Sequence, residues 1–411
     1  MEHMSIVKFN DWAIQHILDE NRFDQNGFII MENQTNLKST GVISKIFQDH
    51  WLSYYSKYKS SIDSLRPNAN KEVHKVINCS NHNLGSSVFV CPIDDEVIFC
   101  PHTCKGRLCS SCGIKAQKVK TQNILEKCIN CKHRHMTFTI PSELTMYFFP
   151  ILNSTDILFS SVNDTLYSIV NGKVKPKSNY KFMPGFFAFL HTFGRPLNFN
   201  PHIHVIISEG VIDKSHHFKN FNYFNYDALS KRFMKILLDK MEAYFGKASF
   251  KNIKNKMYLT YKNGFYVNNK LEDDGYKFKS IQDLIRYVTR YCSRPVIAES
   301  RILNYDGENV TWFYSDHTHE QYHEVTESAF SFITKILRHL LPSNFKSIRY
   351  FGFYNKSNTL CDKLFTMISK EKIPFMRSLL KWHNSILVSF KRIPIKCPKC
   401  GHLMDLVFEV S

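Results

Sequence analysis

Apolar residues recur at helical spacing through the first part of the chain. The pattern runs from Ile14 to Leu18 and returns from Ile43 to Trp51, with neighbours three or four positions apart. This period places apolar side chains on one face of a helix. We therefore expect residues 1–70 to form a helical N-terminal segment.

Between residues 132 and 345, stretches with the periodicity of strands alternate with stretches with the periodicity of helices. The strand-like runs are HRHMTFTIP at 133–141, GFFAFLHTF at 185–193, HIHVIIS at 202–208 and YLTYKNGFYV at 258–267. Helical spacing is found over 142–171, 227–245, 280–292 and 325–341. These elements predict an α+β domain at 132–345, followed by a C-terminal extension at 346–411.

Cysteines concentrate between the helical segment and this domain. Eight of the twelve cysteines lie within residues 71–131, among glycines, prolines and short apolar runs. The start of the chain has no apolar segment of the kind that directs secretion, and no apolar run is long enough to cross a membrane. We therefore expect a soluble intracellular protein in which such cysteines bind metal and do not form disulfides. Residues 71–131 are predicted to be a small module stabilised by zinc.

The spacing within CKGRLCSSCG points to the first candidate ligands. Two thiolates in a Cys-x-x-Cys-Gly turn can bind one ion, and a tetrahedral zinc site needs two more ligands. The predicted zinc ligands are Cys91, Cys104, Cys109 and Cys112. Cys79 and Cys100 are alternatives for the second pair, because Asp94 stands where a second sulfur would follow Cys91. The other interpretation is a set of buried free cysteines.

Two further Cys-x-x-Cys pairs lie outside this set. They are Cys128 with Cys131, and Cys397 with Cys400. The two pairs could form one four-sulfur site across the sequence, or they could be unrelated. The C-terminal pair is a candidate for a second zinc site.

A second group of candidate ligands lies in the sequence Asn-Pro-His-Ile-His-Val. Residues two apart on a strand share a face, so His202 and His204 point the same way. If this strand pairs antiparallel with the preceding run, His191 lies opposite His204 or one pair away, with Cβ atoms about 5 Å apart. The pattern predicts a three-histidine metal site, with Glu209 as a weaker candidate. His135, on the other predicted strand, is a further possibility, but a place in the core or behind the ligands is favoured for it. The alternative is a pair of surface histidines.

The predicted helix at 280–292 carries two tyrosines one turn apart. Tyr287 and Tyr291 lie on one helical face. Three arginines repeat the same spacing beside them: Arg286, Arg290 and Arg294. A phenol is a weak nucleophile near neutral pH, but arginines can hold a phosphate and a metal can polarise the phosphoryl oxygen under attack. The alternative is an aromatic stripe packed on the core.

The net charge of the chain indicates the class of molecule that it binds. Lys and Arg number 54 against 36 Asp and Glu, which gives a formal charge of +18 and a pI near 9.3. A charge of this sign and size points to a polyanion, and nucleic acid is the first candidate. A generally basic surface without a nucleic-acid partner is the alternative.

Together these motifs resemble the HUH single-strand nucleases, and specifically the two-tyrosine rolling-circle transposases of bacterial insertion sequences, the IS91 family. HTFGRPLNFNPHIHVI is similar to the family's metal-binding block, and YVTRYCSRPVIAESRI is similar to its tyrosine block. CKGRLCSSCG followed by HRHMTFTIP is similar to its zinc-binding leader and first nuclease strand, and HLLPSNFKSIRYFGFY to a late block. The resemblance covers about residues 75–405, with the motifs in the family's order.

The resemblance implies a fold and an assignment of site residues. It implies an HUH nuclease domain, with an antiparallel central sheet flanked by helices, after a zinc-binding DNA-recognition module. His202 and His204 correspond to the ligands of a magnesium or manganese ion, and Tyr287 and Tyr291 correspond to the nucleophiles. The placement of His191 as the third ligand comes from the hairpin geometry. The residues expected to bind DNA are Arg286, Arg290, Arg294, Lys105 and Arg107.

The implied reaction is DNA strand transfer. One tyrosine attacks the scissile phosphate, forms a 5′-phosphotyrosine link and frees a 3′-hydroxyl, so rejoining needs no nucleotide cofactor. The partners would be single-stranded DNA at the element ends and the target DNA, in the bacterial cytoplasm and at the nucleoid. A plasmid or phage replication initiator and a relaxase would share this chemistry. A non-catalytic zinc-module DNA-binding protein and a zinc hydrolase are alternatives from other classes.

Overall fold

The computed structural model describes residues 41–80, 84–125, 127–129, 131–149, 154–172, 180–215, 217–268, 281–293, 295–315, 321–355, 386 and 395–410. The helix predicted around Ile14 lies outside the described residues. The described chain forms two compact units. The larger unit contains the described residues of 41–79 and 103–355, and the smaller unit contains those of 80–102 and 386–410.

The helices of the described chain all belong to the larger unit. They are α1 (Val42–Leu65), α2 (Ala69–Ile77), α3 (Ser110–Leu125), α4 (Ser142–Thr145), α5 (Ser154–Val170), α6 (Tyr226–Phe245), α7 (Lys247–Thr260), α8 (Ile281–Ser293) and α9 (Ala329–Arg338). Short 3-10 turns lie at Met146–Phe148 and Glu299–Arg301. The α1 and α2 helices confirm the helical N-terminal region for its described part.

The strands of the described chain form three antiparallel sheets. They are β1 (Ser86–Val90), β2 (Val97–Pro101), β3 (His133–Thr139), β4 (Phe182–Phe193), β5 (Phe199–Asp213), β6 (Phe218–Asn220), β7 (Val267–Asn268), β8 (Ile302–Tyr305), β9 (Asn309–Ser315), β10 (Tyr322–Ser328), β11 (Ile348–Gly352) and β12 (Asp405–Val410). The main sheet has the order β11-β4-β5-β3-β7, with β6 paired to β5. The second sheet is β10-β9-β8, and the third, in the smaller unit, is β12-β1-β2.

The long strands β4 and β5 carry apolar side chains on both faces, and helices cover both faces. One face carries Phe186, Ile203 and Val205, which pack with α5 and α6. The other face carries Phe187 and Ile206, which pack with α3 and α8. Burial on both faces makes these strands the rigid centre of the unit, so side chains that alternate with the core residues are held in fixed positions.

The strand predicted over 258–267 is wrong for most of its length. Helix α7 continues to Thr260, with Phe250 and Met257 buried two turns apart on one face. The Tyr261 amide donates to the Met257 carbonyl at 2.9 Å and closes the helix. The aromatic and β-branched composition of YLTY favours a strand, but the burial of residues earlier in the helix decides the structure. Only β7 remains as a strand.

The helix predicted over 325–341 begins later than expected. Residues Tyr322–Ser328 form β10, in which Val325 is paired with Trp312 of β9. Helix α9 then begins at Ala329, and the Ser328 hydroxyl accepts a hydrogen bond from the Ser331 amide. The chain therefore changes from strand to helix at a serine cap.

Among the described residues, no helix is both long enough and apolar enough to span a membrane.

Candidate active site

Three histidines meet on the face of the main sheet that α8 covers. His191 on β4 is paired directly with His202 on β5, and His204 lies two residues further on the same face. The ring centroids of His191 and His204 are 4.1 Å apart, and those of His202 and His204 are 5.0 Å apart. One nitrogen from each ring lies within 4.8 Å of the other two. The predicted convergence of the three residues is therefore present in the structure, with His191 one pair away from His204.

The tautomer of His202 is set by its own turn. Its Nδ1 lies 2.7 Å from the carbonyl oxygen of Asn200, which can only accept a hydrogen bond. His202 therefore carries its proton on Nδ1 and has a lone pair on Nε2. An imidazole held in this way is the usual form of a metal-bound histidine.

His135 on β3 contacts the cluster from the neighbouring strand. Its Nε2 lies 2.8 Å from Nδ1 of His204, and the two rings stack with an angle of 14° between their planes. Thr137 Oγ1 lies 3.3 Å from the same Nδ1. If His204 binds a metal through Nε2, its Nδ1 carries a proton and donates to His135. His135 would then orient this ligand, and it is not itself part of the three-nitrogen group.

Burial keeps these imidazoles uncharged at neutral pH. Burial, reinforced by the neighbouring imidazoles, lowers the pKa of His191 and His204 well below the ordinary value. Burial also lowers the pKa of His202, and burial together with the nearby His202 lowers the pKa of His135 to about 4. Metal coordination needs the neutral ring, so the site is prepared to bind a cation without losing protons.

Helix α8 places Tyr287 beside this cluster. The ring of Tyr287 meets His135 edge to face, with centroids 6.4 Å apart, and it packs on the buried residues of β4 and β5. The backbone of the next residue, Val288, hydrogen-bonds to His191. Helix α8 extends past Tyr291, but the side chain of Tyr291 lies outside what the structure describes.

A four-cysteine cluster lies at the start of α3. Its members are Cys79, Cys104, Cys109 and Cys112, with one sulfur of each within 4.8 Å of the others. Neighbouring sulfurs are 3.6–3.8 Å apart. Four sulfurs about 2.3 Å from one tetrahedral zinc ion lie about 3.8 Å apart, so the cluster fits zinc. The structure brings Cys79 to this group in place of Cys91, because the turn after α2 returns to the Cys104 loop, where the Cys104 amide donates to the Cys79 sulfur.

Two family models match the chain over the regions that hold these clusters. Residues 185–360 match a family described as "Putative transposase", and residues 46–140 match a family described as "Transposase zinc-binding domain". The first region contains the three histidines and α8, and the second contains the four-cysteine cluster. No solved structure matches the chain.

Two relatives extend the match over most of the chain. The transposase for insertion sequence element IS801 of Pseudomonas savastanoi pv. phaseolicola is 28% identical over 361 residues, which is 82% of this chain and 83% of that protein. Together these matches support an IS91-family transposase. "Putative transposase y4qJ" of Sinorhizobium fredii (strain NBRC 101917 / NGR234) is 24% identical over 318 residues, which is 74% of this chain and 79% of that protein. The predicted family is confirmed, and a transposase of this family acts on DNA.

The basic residues predicted to bind DNA differ in their surroundings in this IS91-family transposase. Arg286 and Arg290 are exposed one turn apart on α8, and Lys105 is exposed beside the four-cysteine cluster. Arg107 is half-buried, and its guanidinium donates to the carbonyl of Phe345 at 2.8 Å. Arg294 lies outside the described residues. The structure thus leaves Arg286, Arg290 and Lys105 accessible to a ligand and turns Arg107 toward the protein.

The other cysteines whose side chains the structure describes fall into two groups. In the smaller unit, Cys91, Cys397 and Cys400 gather with the carboxylate of Asp94. Cys100 is half-buried beside them. Cys128 and Cys131 belong to the larger unit, where both pack partly buried against the residues under α8. The structure therefore does not bring the two later Cys-x-x-Cys pairs into one site.

The two weaker ligand candidates have other partners in the structure. His135, for which the sequence favoured a place in the core or behind the ligands, contacts His204 because β3 pairs with β5 and places Thr137 opposite His204. No local motif encodes this pairing. Glu209 forms an ion pair with Arg134 at 2.8 Å.

Proposed function

We propose that this transposase nicks single-stranded DNA and transfers the strand through a 5′-phosphotyrosine intermediate, which drives rolling-circle transposition of an insertion sequence. The observation that supports the proposal is the position of Tyr287, which contacts the histidine that orients His204. A nucleophile and a three-imidazole cluster thus share one face of one rigid sheet. This arrangement suits attack on a phosphate bound between them.

The histidine cluster fits a divalent metal ion. His191, His202 and His204 would hold magnesium or manganese, with His202 and His204 only half-buried, so that coordination positions remain open to a ligand. Such an ion, when bound, would polarise a phosphoryl oxygen and stabilise the charge that develops on it. Uncharged imidazoles add no negative charge to the site and so do not repel a phosphate.

The protein's own step is nucleophilic attack by a phenol. The Tyr287 hydroxyl loses its proton, and its oxygen bonds to phosphorus. The bond from phosphorus to the 3′-oxygen breaks, and this oxygen takes up a proton and leaves as a 3′-hydroxyl. The energy of the phosphodiester is kept in the phosphotyrosine, so the reverse attack by a 3′-hydroxyl rejoins the strand. Tyr291, one turn further along α8, would allow a second cleavage while the first 5′ end is still attached.

The exposed basic residues would hold the DNA strand. Arg286 and Arg290 flank the tyrosine side of α8, and guanidinium groups bind phosphates with two parallel hydrogen bonds. Lys105 would contact phosphates beside the zinc-binding region. The charge of +18 would strengthen this binding at low salt.

The decisive experiment is covalent capture. The purified protein is incubated with single-stranded oligonucleotides from each element end, labelled at the 3′ end, with manganese or magnesium. A denaturing gel should show labelled DNA attached to the protein, because cleavage leaves the 5′ phosphate of the 3′ fragment on tyrosine. Tyr287→Phe together with Tyr291→Phe should remove the adduct while DNA binding stays within about twofold.

A matched control variant distinguishes the nucleophiles from other tyrosines. Tyr223→Phe changes a tyrosine whose side chain is 72% exposed, and it should leave the adduct unchanged. Absence of an adduct on both ends with both metals would contradict the nuclease proposal and favour a DNA-binding protein without catalysis. An adduct that persists in the double variant would show that another residue is the nucleophile.

A further inference from the structure

We propose that the smaller unit binds a second zinc ion through Cys91, Asp94, Cys397 and Cys400. This site is separate from the four-cysteine cluster, and its ligands include a carboxylate and residues from two distant parts of the sequence. The proposal does not depend on the nuclease activity proposed above.

The four ligand atoms are close enough to share one ion. Cys91 Sγ and Cys400 Sγ are 3.5 Å apart, and Cys397 Sγ lies 3.5 Å and 3.3 Å from the two carboxylate oxygens of Asp94. All four ligand groups lie within 4.8 Å of one another. Zinc bonds of about 2.3 Å to sulfur and about 2.1 Å to oxygen in a tetrahedron give separations of about 3.5–3.8 Å.

Two turns of the same form deliver these ligands. In the first, the Cys91 amide donates to the Glu96 carbonyl at 2.8 Å, and the Asp95 amide donates to the Cys91 carbonyl at 3.2 Å. In the second, the Cys397 amide donates to the His402 carbonyl at 2.7 Å, and the Gly401 amide donates to the Cys397 carbonyl at 3.0 Å. Each turn presents two ligands spaced three residues apart, as paired metal-binding turns do.

A glycine occupies the left-handed position of the second turn, where Asp95, with a φ of +53°, stands in the first turn. Gly401 has a φ of +74°, in the left-handed region that a residue with a side chain rarely adopts. It follows Cys400 directly and lets the chain reverse after the second sulfur. The Lys399 ammonium and the Glu96 carboxylate form an ion pair between the two turns.

A zinc ion would offset the charge of the ligands in their metal-binding form. Three thiolates and one carboxylate carry four negative charges within 4.8 Å of one another, and like charges at such distances repel strongly. A zinc ion reduces the net charge to −2 and satisfies every ligand. A disulfide between Cys91 and Cys400 needs sulfurs about 2.05 Å apart and would give Asp94 no role.

Among the described residues of the smaller unit, the proposed ligands form part of a small core. The buried cluster there consists of Phe89, Cys91, Ile395, Cys397 and Met404, and two of these five are proposed ligands. Metal binding would add stability to this cluster. The pairing of β1 with β12 brings the two parts of the ligand set together.

The two zinc sites should differ in how tightly they hold their ion. The first site has four sulfur ligands, three of them buried, whereas the second has one oxygen ligand and an exposed Cys400. An oxygen ligand is harder than a thiolate and an exposed ligand is open to chelators. We therefore expect a chelator to remove zinc in two phases, with the second site emptied first.

The test counts metal in the full chain. Elemental analysis of the purified protein should give two zinc ions per chain for the wild type and one for Cys397→Ser with Cys400→Ser. Asp94→Ala should lower occupancy of the second site. The neighbouring Asp95→Asn removes an exposed carboxylate outside the ligand group, keeps a residue type that tolerates the positive φ of this position, and should keep two ions. One ion per chain in the wild type, unchanged by these substitutions, would overturn the proposal.

A second measurement keeps the proposal testable if the double cysteine variant fails to fold. Cobalt replaces zinc, and thiolate-to-cobalt absorption scales with the number of cobalt–sulfur bonds. The wild type should have seven such bonds and Asp94→Cys should have eight, so absorption should rise by about one seventh with two cobalt ions still bound. An unchanged spectrum in Asp94→Cys would show that residue 94 does not bind the metal.

Discussion

His135 illustrates how a residue that does not bind the proposed metal can control one that does. Its Nε2 lies 2.8 Å from Nδ1 of His204, so the two rings share a hydrogen bond that holds the ring orientation of His204. The Nδ1 of His135 is buried and has no hydrogen-bond partner among the described residues. The contact with His204 is therefore the hydrogen bond that holds the His135 ring in this part of the structure.

We expect His135→Ala to raise the manganese concentration needed for half-maximal DNA cleavage by about 10–100-fold. The physical reason is that His204 would lose the partner that holds its metal-binding nitrogen toward the cluster. The measurement is adduct formation as a function of manganese concentration. Saturating metal should restore most of the rate, which separates an effect on metal binding from an effect on chemistry.

Two further variants serve as controls for this result. His135→Gln keeps an acceptor and should recover part of the affinity, whereas His217→Gln, at a side chain that is 76% exposed, should have no effect. An unchanged metal dependence in His135→Ala would contradict a positioning role for this residue.

At the level of residues, the sequence predicted the site where neighbours along the chain share a face. His202 with His204, and Tyr287 with Tyr291, follow from the periods of a strand and a helix. The choice of Cys79 over Cys91 could not be predicted in this way. It depends on how α2 returns to the Cys104 loop, and spacing alone left both cysteines open.

Among the elements, the zinc cluster and the tyrosine helix are linked through α3. Cys112 lies in the first turn of α3, and the middle of α3 packs against α8. Thr121 and Thr289 are both buried, and their hydroxyls meet at 2.6 Å. Gln117 donates to the Arg286 carbonyl at 3.3 Å. The helix that carries Tyr287 is thus held by the helix that begins at the four-cysteine cluster.

We expect Thr289→Val to slow DNA cleavage while DNA binding stays within about twofold. The substitution keeps the shape of the side chain but removes the hydrogen bond between α3 and α8, which is worth about 1 kcal/mol. Single-turnover cleavage and the free energy of unfolding are the measurements. Thr311→Val, which removes a hydroxyl pair with Thr326 between β9 and β10, should lower stability slightly without slowing cleavage. Equal slowing in both variants would show a general loss of stability instead.

The strands were predicted correctly where burial on both faces of the sheet produces a continuous apolar run. The strands β3, β4 and β5 and the helix α8 were predicted because their patterns are strong and local. The sheet of β8, β9 and β10 was not predicted, since its strands are short and β10 alternates between exposed and half-buried residues. Tertiary packing decides such weakly patterned stretches, as it did for the end of α7.

At the scale of the whole molecule, the charge of +18 sets how DNA binding should respond to salt. Each phosphate contact on single-stranded DNA adds about −0.7 to the slope of log affinity against log salt concentration. Arg286→Gln with Arg290→Gln should therefore reduce the slope by about 1.4. The measurement is a salt titration of oligonucleotide binding.

Lys251→Gln with Lys256→Gln provides the matched control for this titration. These two exposed lysines on α7 carry the same total charge as the two arginines. Their removal should change the slope less. An equal change in both double variants would show that the arginines act only through the net charge of the protein.

Long-range pairing is the part of the architecture that no local pattern contains. The sequence marked the C-terminal Cys-x-x-Cys pair as a candidate metal site, but its partners lie 309 residues earlier, counted from Cys91 to Cys400. Cys91 and Asp94 do not form a recognisable pair of sulfurs. Only the position of β1 between β2 and β12 identifies them as one group.

The positions of these strands in the sequence also determine when, during synthesis, the smaller unit can be completed. A ribosome that adds about 5–20 residues per second makes Cys400 roughly 15–60 s after Cys91. Until then β1 and β2 form at most a two-stranded hairpin, which is only marginally stable in water. The residues of the larger unit are synthesised almost entirely within this interval and can fold first. A chain released before residue 400 would therefore carry the histidines and tyrosines but never complete the smaller unit.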